Sequence, residues 1–209
     1  MIKLNYQELI KKLDQDIQKS NKNRYFIAIS GPPASGKSTT SEKLHSDLTL
    51  KKHKPSILQM DGFHYDNSIL KEKGLLSKKG APETFDVYGL LNFIKRLQNE
   101  PEVVVPIFDR SLELSRSSAI IIPKESKVII VEGNYLLLNL QPWTDLKNFF
   151  DTSVMIDCEE KILEQRLIDR WQNFNLSKDE INQKVYKNDL PNGVNVLKNS
   201  ILAKYYLTN

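Results

Sequence analysis

The sequence predicts an α/β fold of three layers, in which helices cover both faces of a mostly parallel sheet. Short apolar, β-branched segments alternate along the chain with segments of helical periodicity, as expected for strands joined by crossover helices. Several of these strands, such as YFIAIS (25–30) and KVIIVEG (127–133), have no polar alternation. Uninterrupted apolar strands are typical of parallel sheets that are buried on both faces.

The chain has 209 residues, which predicts one domain spanning 1–209, and no segment has the composition of a linker. A net charge of +4 suits an anionic ligand but is too diffuse to indicate a nucleic-acid partner. The sequence has no run of 18 apolar residues, no apolar signal segment near its start and a single cysteine, Cys158. We therefore expect a cytoplasmic location, no membrane partner and no internal disulfide; a homodimer is left open.

The first half of the chain is predicted to begin with an amphipathic helix, because apolar residues recur at helical spacing over 4–20. The buried strand at 25–30 follows, and then a helix from Lys37 to about Leu48. SILQM (56–60) is predicted to be a second strand. Residues 62–85 lack periodicity and predict a long loop, which is usually functional inside a compact domain.

In the second half, Asp86 is predicted to cap a helix that continues to about Leu97. Strands are predicted at 103–108, 119–122, 127–133 and 152–157. Helical segments are predicted at 145–150 and at 160–171. The polar stretch at about 173–192 predicts a small helical lid, and the type of the apolar stretch 194–197 is left open.

The strongest motif is GPPASGKST, which fits the pattern G-x-x-x-x-G-K-[ST] between a predicted strand and a predicted helix. Glycines let the backbone approach a phosphate, and the helix N-terminus adds partial positive charge. Lys37 is expected to reach the β- and γ-phosphates, and the Ser38 hydroxyl to hold Mg²⁺. The motif therefore predicts a site for ATP and Mg²⁺, formed by Gly31, Pro32, Pro33, Ala34, Ser35, Gly36, Lys37, Ser38 and Thr39.

Two acids follow predicted strands, at the edge where open parallel sheets bind their ligands. Asp61 ends the strand of residues 56–60, where a carboxylate can accept the proton of a hydroxyl or help to hold Mg²⁺. Glu132 ends the strand VIIVEG, a pattern that places a carboxylate near a metal. The alternative for Asp61 is an ordinary Asp in a strand-to-loop turn, and the alternative for Glu132 is a solvated acid at a strand end.

An ordered set of motifs resembles the uridine kinase / phosphoribulokinase / type I pantothenate kinase superfamily of P-loop kinases. The motifs are GPPASGKST, MDGFHYDN, KKGAPETFDVYGLL, VPIFDRSLELSR and VIIVEGNYLLL. GAPETFD and NDLPNG (188–193) are most similar to the branch of fructose-transport-system kinases. The resemblance extends from about Phe26 to Val196 and implies a P-loop kinase fold.

The resemblance also implies roles for matching residues. It implies that Asp61 activates the substrate hydroxyl, and that Asp61 and Glu132 lie near Mg²⁺. It also implies that several residues, including Asp61, contact the phosphate acceptor, and that one residue of NDLPNG contacts ATP. For Asp86 the helix cap is an equal alternative, and for His64 a solvated loop position is favoured. The expected acceptor-side residues are His64, Asp86, Phe108 and Arg116, and the additional ATP-site residue is Asn192.

The helix predicted at 160–171 carries Arg166 and Arg170, which project from one face because they are four residues apart. Related kinases place lid arginines over the ATP phosphates, so we expect these two to act in catalysis together with Lys37 and Asp61. The alternative is surface ion pairing, which contributes little. The basic residues Lys71, Lys73, Lys78 and Lys79 favour a solvated loop over a substrate contact.

Departures from the uridine kinase pattern concern the acceptor and leave phosphoryl transfer intact. Phe108 lacks the hydroxyl of the matching Tyr, and Glu113 stands about where uridine kinases carry a His. The sequence therefore predicts an ATP- and Mg²⁺-dependent kinase for a hydroxyl of a small metabolite, such as a nucleoside, a sugar or a pantothenate-like compound. The alternative is a nucleotide hydrolase or switch protein, although the chain has no N-K-x-D guanine signature.

Overall fold

The computed structural model describes residues 2–208 and contains a six-stranded sheet in which all neighbouring strands are parallel. Its strands in spatial order are β1 (Ile2–Leu4), β8 (Tyr205–Thr208), β7 (Thr152–Asp157), β2 (Tyr25–Ser30), β6 (Val128–Gly133) and β3 (Pro55–Gln59). The predicted α/β class is confirmed. The short outer strands β1 and β8 were not predicted, because three or four residues carry too little periodicity.

Helices cover both faces of this sheet, which gives the predicted three layers. Alternate residues of β2 point to opposite faces, and Ile27 and Ile29 pack with α1 (Tyr6–Gln18) and α2 (Lys37–Leu50). The intervening side chains of β2 pack with the other layer, formed by α4 (Val87–Asn99), a 3₁₀ turn (Trp143–Phe149) and α7 (Leu190–Asn199). None of the helices within residues 2–208 has both the length and the apolar character needed to cross a bilayer.

The strand register brings the predicted functional residues to one edge of the sheet. Glu132 of β6 is opposite Ile29 of β2 and Gln59 of β3. The phosphate-binding motif begins directly after β2, and Asp61 lies in a 3₁₀ turn (Met60–Phe63) directly after β3. Because parallel strands end at a common edge, residues far apart in sequence converge there.

The two remaining strands form a separate antiparallel hairpin of β4 (Val103–Asp109) and β5 (Leu114–Ile122). The sequence predicted strands here but not this pairing. The register shifts between Val105 and Ile107, where Pro106 has no N–H for the ladder. The hairpin packs against the turn that carries Asp61, since Gly62 lies against the Pro106 carbonyl. A Cβ at Gly62 would come within 2.7 Å of that oxygen.

The region predicted as one long loop, 62–85, instead contains α3 (Asn67–Glu72) and two 3₁₀ turns, Leu76–Lys78 and Pro82–Thr84. Asp66 caps α3 by accepting a hydrogen bond from the Ser68 amide. Six helical residues are too few for a periodic signal, which is why the sequence predicted a loop.

The predicted lid is a chain of helices that continues α5 (Glu160–Asn173). It comprises α6 (Lys178–Lys184), one π-helical turn (Val185–Asp189) and the first residues of α7. The same helix, α7, also includes the stretch 194–197 whose type the sequence left open. Leu167, Ile181 and Val185 form a small core of their own beneath the lid.

Candidate active site

A cavity of about 790 Å³ opens at the carboxyl edge of the sheet. Its walls come from the phosphate-binding motif, the turns after β3 and β6, the hairpin, α5 and the lid. It holds these residues of the predicted site: Pro33, Ala34, Gly36, Lys37, Ser38, Thr39, Asp61, His64, Phe108, Glu132, Arg166 and Arg170. Residues predicted from separate motifs therefore share one site.

The phosphate-binding motif has the backbone geometry of an anion cradle. Gly36 has φ 91°, a left-handed conformation that favours glycine, and α2 begins at the next residue. A Cβ at Gly31 would lie 2.9 Å from the Ser35 Oγ and 3.0 Å from the Ile156 carbonyl oxygen. The close turn and the helix N-terminus together suit bound phosphate.

Lys37 is buried within this cradle and donates a hydrogen bond to the Pro32 carbonyl at 2.7 Å. Burial lowers the pKa of its ammonium to about 8, while the charges of Glu132 and Asp61 act in the opposite direction. A buried cation without a hydrogen-bonded acid is costly, and a phosphate would provide the missing anion.

The predicted metal-binding oxygens come from Ser38, Asp61 and Glu132. Glu132 is buried, which raises the pKa of its carboxyl; the charge of Lys37 and a hydrogen bond from Ser38 lower it. Hydroxyl and carboxylate oxygens are ligands that Mg²⁺ accepts. Over residues 2–208, no group of three or more His, Cys, Asp or Glu side chains could hold a metal alone. These residues therefore fit an Mg²⁺ that also has phosphate and water ligands, as in nucleotide sites.

Asp61 has a partner that the sequence did not predict. Arg110, just after β4, donates from Nη2 to Asp61 Oδ2 at 2.8 Å. Arg170 lines the same cavity as Arg110, and burial, followed by the charge of Arg110, lowers the pKa of its guanidinium. In the sequence, Arg110 directly follows the Phe108–Asp109 pair of the motif VPIFDRSLELSR. A charged residue at the end of a predicted strand was the signal that could have identified Arg110.

Beside Asp61 the wall is aromatic. The His64 ring lies between Phe85, at 4.0 Å between ring centroids, and Phe108, at 4.8 Å. His64 Nδ1 is 2.9 Å from the Asp61 carbonyl oxygen. Because these contacts half-bury the ring, His64 is not the solvated loop histidine that the sequence favoured.

Lys79 also departs from the expectation of a solvated loop. Its side chain is 14% exposed, and its ammonium donates to Asn67 Oδ1 at 2.9 Å and to the Glu113 carbonyl at 2.7 Å. Burial lowers its pKa. The Lys79 backbone carbonyl accepts a hydrogen bond from Asn188 Nδ2, which ties this loop to the lid.

The arginines of α5 face the cradle. Arg166 Nη1 lies 3.4 Å from the Ala34 carbonyl of the phosphate-binding motif. One turn further along, Trp171 Nε1 donates to Asp189 Oδ2 of the π-helical turn at 2.7 Å. This contact fixes the lid to the helix that carries both arginines.

Six residues expected at the site are not part of the cavity wall: Gly31, Pro32 and Ser35 of the cradle, and Asp86, Arg116 and Asn192. Asp86 caps α4 by accepting from the Gly89 amide, which was its alternative role. Arg116 pairs with Asp109 at 3.2 Å on the hairpin. Asn192 is buried on α7, within the lid, and donates to Asn188 Oδ1. Its neighbour Gly193 lies next to the cradle, since a Cβ there would be 3.4 Å from the Pro32 Cβ. A contact of Asn192 with ATP stays a prediction.

Comparison with known proteins agrees with this architecture. The family model "Phosphoribulokinase / Uridine kinase family" matches residues 26–185. The uncharacterised protein YggC of Escherichia coli K12 is 35% identical over 179 residues, covering 85% of this chain and 74% of YggC. A pantothenate kinase of Enterococcus faecalis is 30% identical over 151 residues, covering 70% of this chain and 49% of that enzyme. The chain spans about half the length of the pantothenate kinases it matches.

Among solved structures, a putative fructose transport system kinase from Silicibacter sp. TM1040 superimposes with a TM-score of 0.92 at 33% identity. The match covers 97% of this chain and 98% of that one. A possible uridine kinase from Bacillus stearothermophilus has the same fold, with a TM-score of 0.62 at 18% identity. The chain belongs to the phosphoribulokinase / uridine kinase family, which confirms the resemblance found in its motifs.

Proposed function

We propose that the protein is an ATP- and Mg²⁺-dependent phosphotransferase that phosphorylates a hydroxyl of a small metabolite. The observation that carries the proposal is the single cavity that joins the phosphate cradle to Asp61 and Glu132. One cavity can hold a nucleotide and an acceptor side by side, as an in-line transfer needs. Family membership supports the same reaction class.

Each residue has a role that its position supports. Lys37 and the backbone of the cradle bind the β- and γ-phosphates. Ser38, Asp61 and Glu132 would hold Mg²⁺, which would neutralise phosphate charge when bound. Asp61 accepts the proton of the acceptor hydroxyl, and Arg166 and Arg170 stabilise charge on the transferred group.

The experiment measures ADP release and phosphorylated product, with and without a pool of nucleosides, sugars, pantothenate and glycerate. A kinase should be slow alone and strongly stimulated by its acceptor, with product formed at the rate of ADP. ATP turnover that no acceptor stimulates would support the hydrolase alternative and contradict the proposal.

The Lys37→Ala variant tests the phosphate-binding role, because in the proposed complex Lys37 faces the phosphates and not the core of the sheet. We expect loss of transfer with a folded protein, judged by circular dichroism. Lys54→Ala, an exposed lysine before β3, is the control and should keep wild-type turnover. Near-wild-type turnover of Lys37→Ala would contradict the phosphate-binding assignment.

A further inference from the structure

The side chains that line the cavity carry more positive charge than ATP and a neutral acceptor would neutralise. Seven basic and four acidic side chains line it, an excess of three positive charges. ATP bound to Mg²⁺ carries about two negative charges near neutral pH. About one positive charge is therefore left for the second ligand, and the cations nearest the acceptor side are Lys79 and Arg110.

Lys79 is held in place, and its ion pair with the Glu113 carboxylate is long. Two of its three ammonium donors bond to Asn67 and to the Glu113 carbonyl, and its distance to Glu113 Oε2 is 3.7 Å, beyond hydrogen-bond length. A largely buried cation gains most from an anion that hydrogen-bonds to it directly. The third donor has only the long contact with the Glu113 carboxylate, which an anionic ligand in the cavity can replace.

The charged groups of Arg110 and Lys79 both lie over the aromatic ring of Phe108. The Lys79 ammonium is 5.2 Å and the Arg110 guanidinium 5.8 Å from the Phe108 centroid. Both cations therefore lie near Phe108, and Arg110 also contacts Asp61. Cations held this way are pre-organised, and binding an anion costs them little reordering.

The aromatic wall is poorly suited to a nucleobase. The rings of Phe85, His64 and Phe108 cover one another, and the two cations lie over Phe108. A stacked base needs an open ring face, and these contacts compete with a base for the faces of His64 and Phe108.

His64 instead offers a hydrogen-bond acceptor. A carbonyl oxygen only accepts, so the contact with the Asp61 carbonyl requires the hydrogen to be on Nδ1. In the neutral ring with its hydrogen on Nδ1, the other nitrogen, Nε2, carries no hydrogen. Nε2 then has a lone pair that can accept from a hydroxyl of the ligand.

We propose that the phosphate acceptor is a small anionic hydroxy compound whose carboxylate or phosphate group binds between Lys79 and Arg110, while one of its hydroxyls faces His64. This inference rests on the proposed function and narrows it from small metabolites in general to anionic ones. Carboxylate and phosphate present the same chemistry to the two cations, and the test below separates them.

The test compares probes that share a skeleton and differ in charge: D-glycerate with glycerol, pantothenate with its neutral alcohol, and ribose 5-phosphate with ribose. Uridine represents neutral nucleosides. In parallel, a bacterial metabolite extract is divided on an anion-exchange resin, and each fraction is assayed for ADP release and for products that gain a phosphoryl group. Mass spectrometry of the product then distinguishes a carboxylate from a phosphate.

We expect stimulation from the retained, anionic fraction and from anionic probes over their neutral partners. Lys79→Gln and Arg110→Gln should each raise the KM for that acceptor roughly ten- to a hundredfold, as expected for a lost charged hydrogen bond, with the KM for ATP little changed. The controls are Lys78→Gln, next in sequence with its side chain 61% exposed, and Arg96→Gln on α4. Both should keep the wild-type KM.

Stimulation by the neutral fraction alone would overturn this inference and leave the kinase proposal standing. Unchanged KM in both Lys79→Gln and Arg110→Gln would overturn it in the same way. Stimulation by neither fraction would overturn the kinase proposal, and the inference with it.

Discussion

The guanidinium of Arg110 and the carboxylate of Asp61 form an ion pair of 2.8 Å that joins the β4–β5 hairpin to the turn after β3. The pair lies in the cavity, and the Asp61 side chain is 27% exposed. One carboxylate oxygen is thus held by Arg110, which orients the other for a second partner. For the proposed reaction, that partner is the acceptor hydroxyl or the metal.

Asp61→Asn should lose most of the transfer rate and still bind nucleotide. The amide cannot accept the hydroxyl proton, while the cradle and its lysine are unchanged. We expect kcat to fall at least about a hundredfold, as for a lost general base. Steady-state kinetics measures the fall in kcat, and titration with a fluorescent ATP analogue measures whether nucleotide binding is retained.

Asp157→Asn is the matched control, since Asp157 also ends a strand of the same sheet but lies outside the cavity lining, with only a 3.9 Å pair to Lys3. The Asp157→Asn variant should keep the wild-type rate of phosphoryl transfer. If Asp61→Asn transfers phosphate as fast as this control, Asp61 is not the base.

Glu132→Gln should raise the Mg²⁺ concentration that gives half-maximal activity, because a metal-binding charge is lost. The amide has nearly the same shape, and burial disfavours the charged carboxylate, so thermal stability should hold or increase. A magnesium titration at fixed ATP, with Glu102→Gln as an exposed control, measures this effect. An unchanged magnesium requirement would remove Glu132 from the metal site.

Most of the main sheet and the phosphate cradle could be predicted from the sequence because their signals are local. Strand β7 has the predicted bounds, and Asp86 caps its helix as predicted. Arg110 and Lys79 could not be predicted in the same way. Their partners, Asp61 and Glu113, are distant in sequence, and only the packing of the hairpin brings each pair together.

The Asp189→Asn variant tests the lid through the dependence of stability on pH. Burial raises the pKa of the Asp189 carboxyl, with opposing effects from the Trp171 hydrogen bond and the Arg170 charge. A raised native pKa means that the folded state binds more protons than the unfolded state at pH values just above the normal carboxyl range. This group therefore lowers the free energy of unfolding as pH rises through that window.

Asparagine keeps an oxygen for the Trp171 indole N–H and removes this titration. We expect the stability of Asp189→Asn relative to wild type to increase from about pH 4 upward and then level off. Urea unfolding at several pH values checks it. A difference that stays constant with pH would contradict the buried, charged state of Asp189.

The last prediction concerns the two arginines of α5. Arg166 faces the Ala34 carbonyl of the cradle, and both arginines line the cavity and not the outer surface. An arginine that stabilises charge on the transferred phosphoryl group can contribute about a thousandfold to the rate. An exposed ion pair contributes under about 1 kcal/mol to folding. We therefore expect Arg166→Ala or Arg170→Ala to lower kcat strongly with little change in Tm.

Arg96→Ala supplies the contrast, because Arg96 pairs with Glu100 four residues away on the exposed face of α4. Its kcat should be unchanged and its stability slightly reduced. The lysine variants refine the assignment: lysine keeps the charge but loses the fork of donors, so Arg170→Lys should recover only part of the rate. If both alanine variants keep full kcat with saturating ATP and acceptor, then neither arginine acts on the transferred group, and the contact of Arg166 with Ala34 serves only to hold α5 against the cradle.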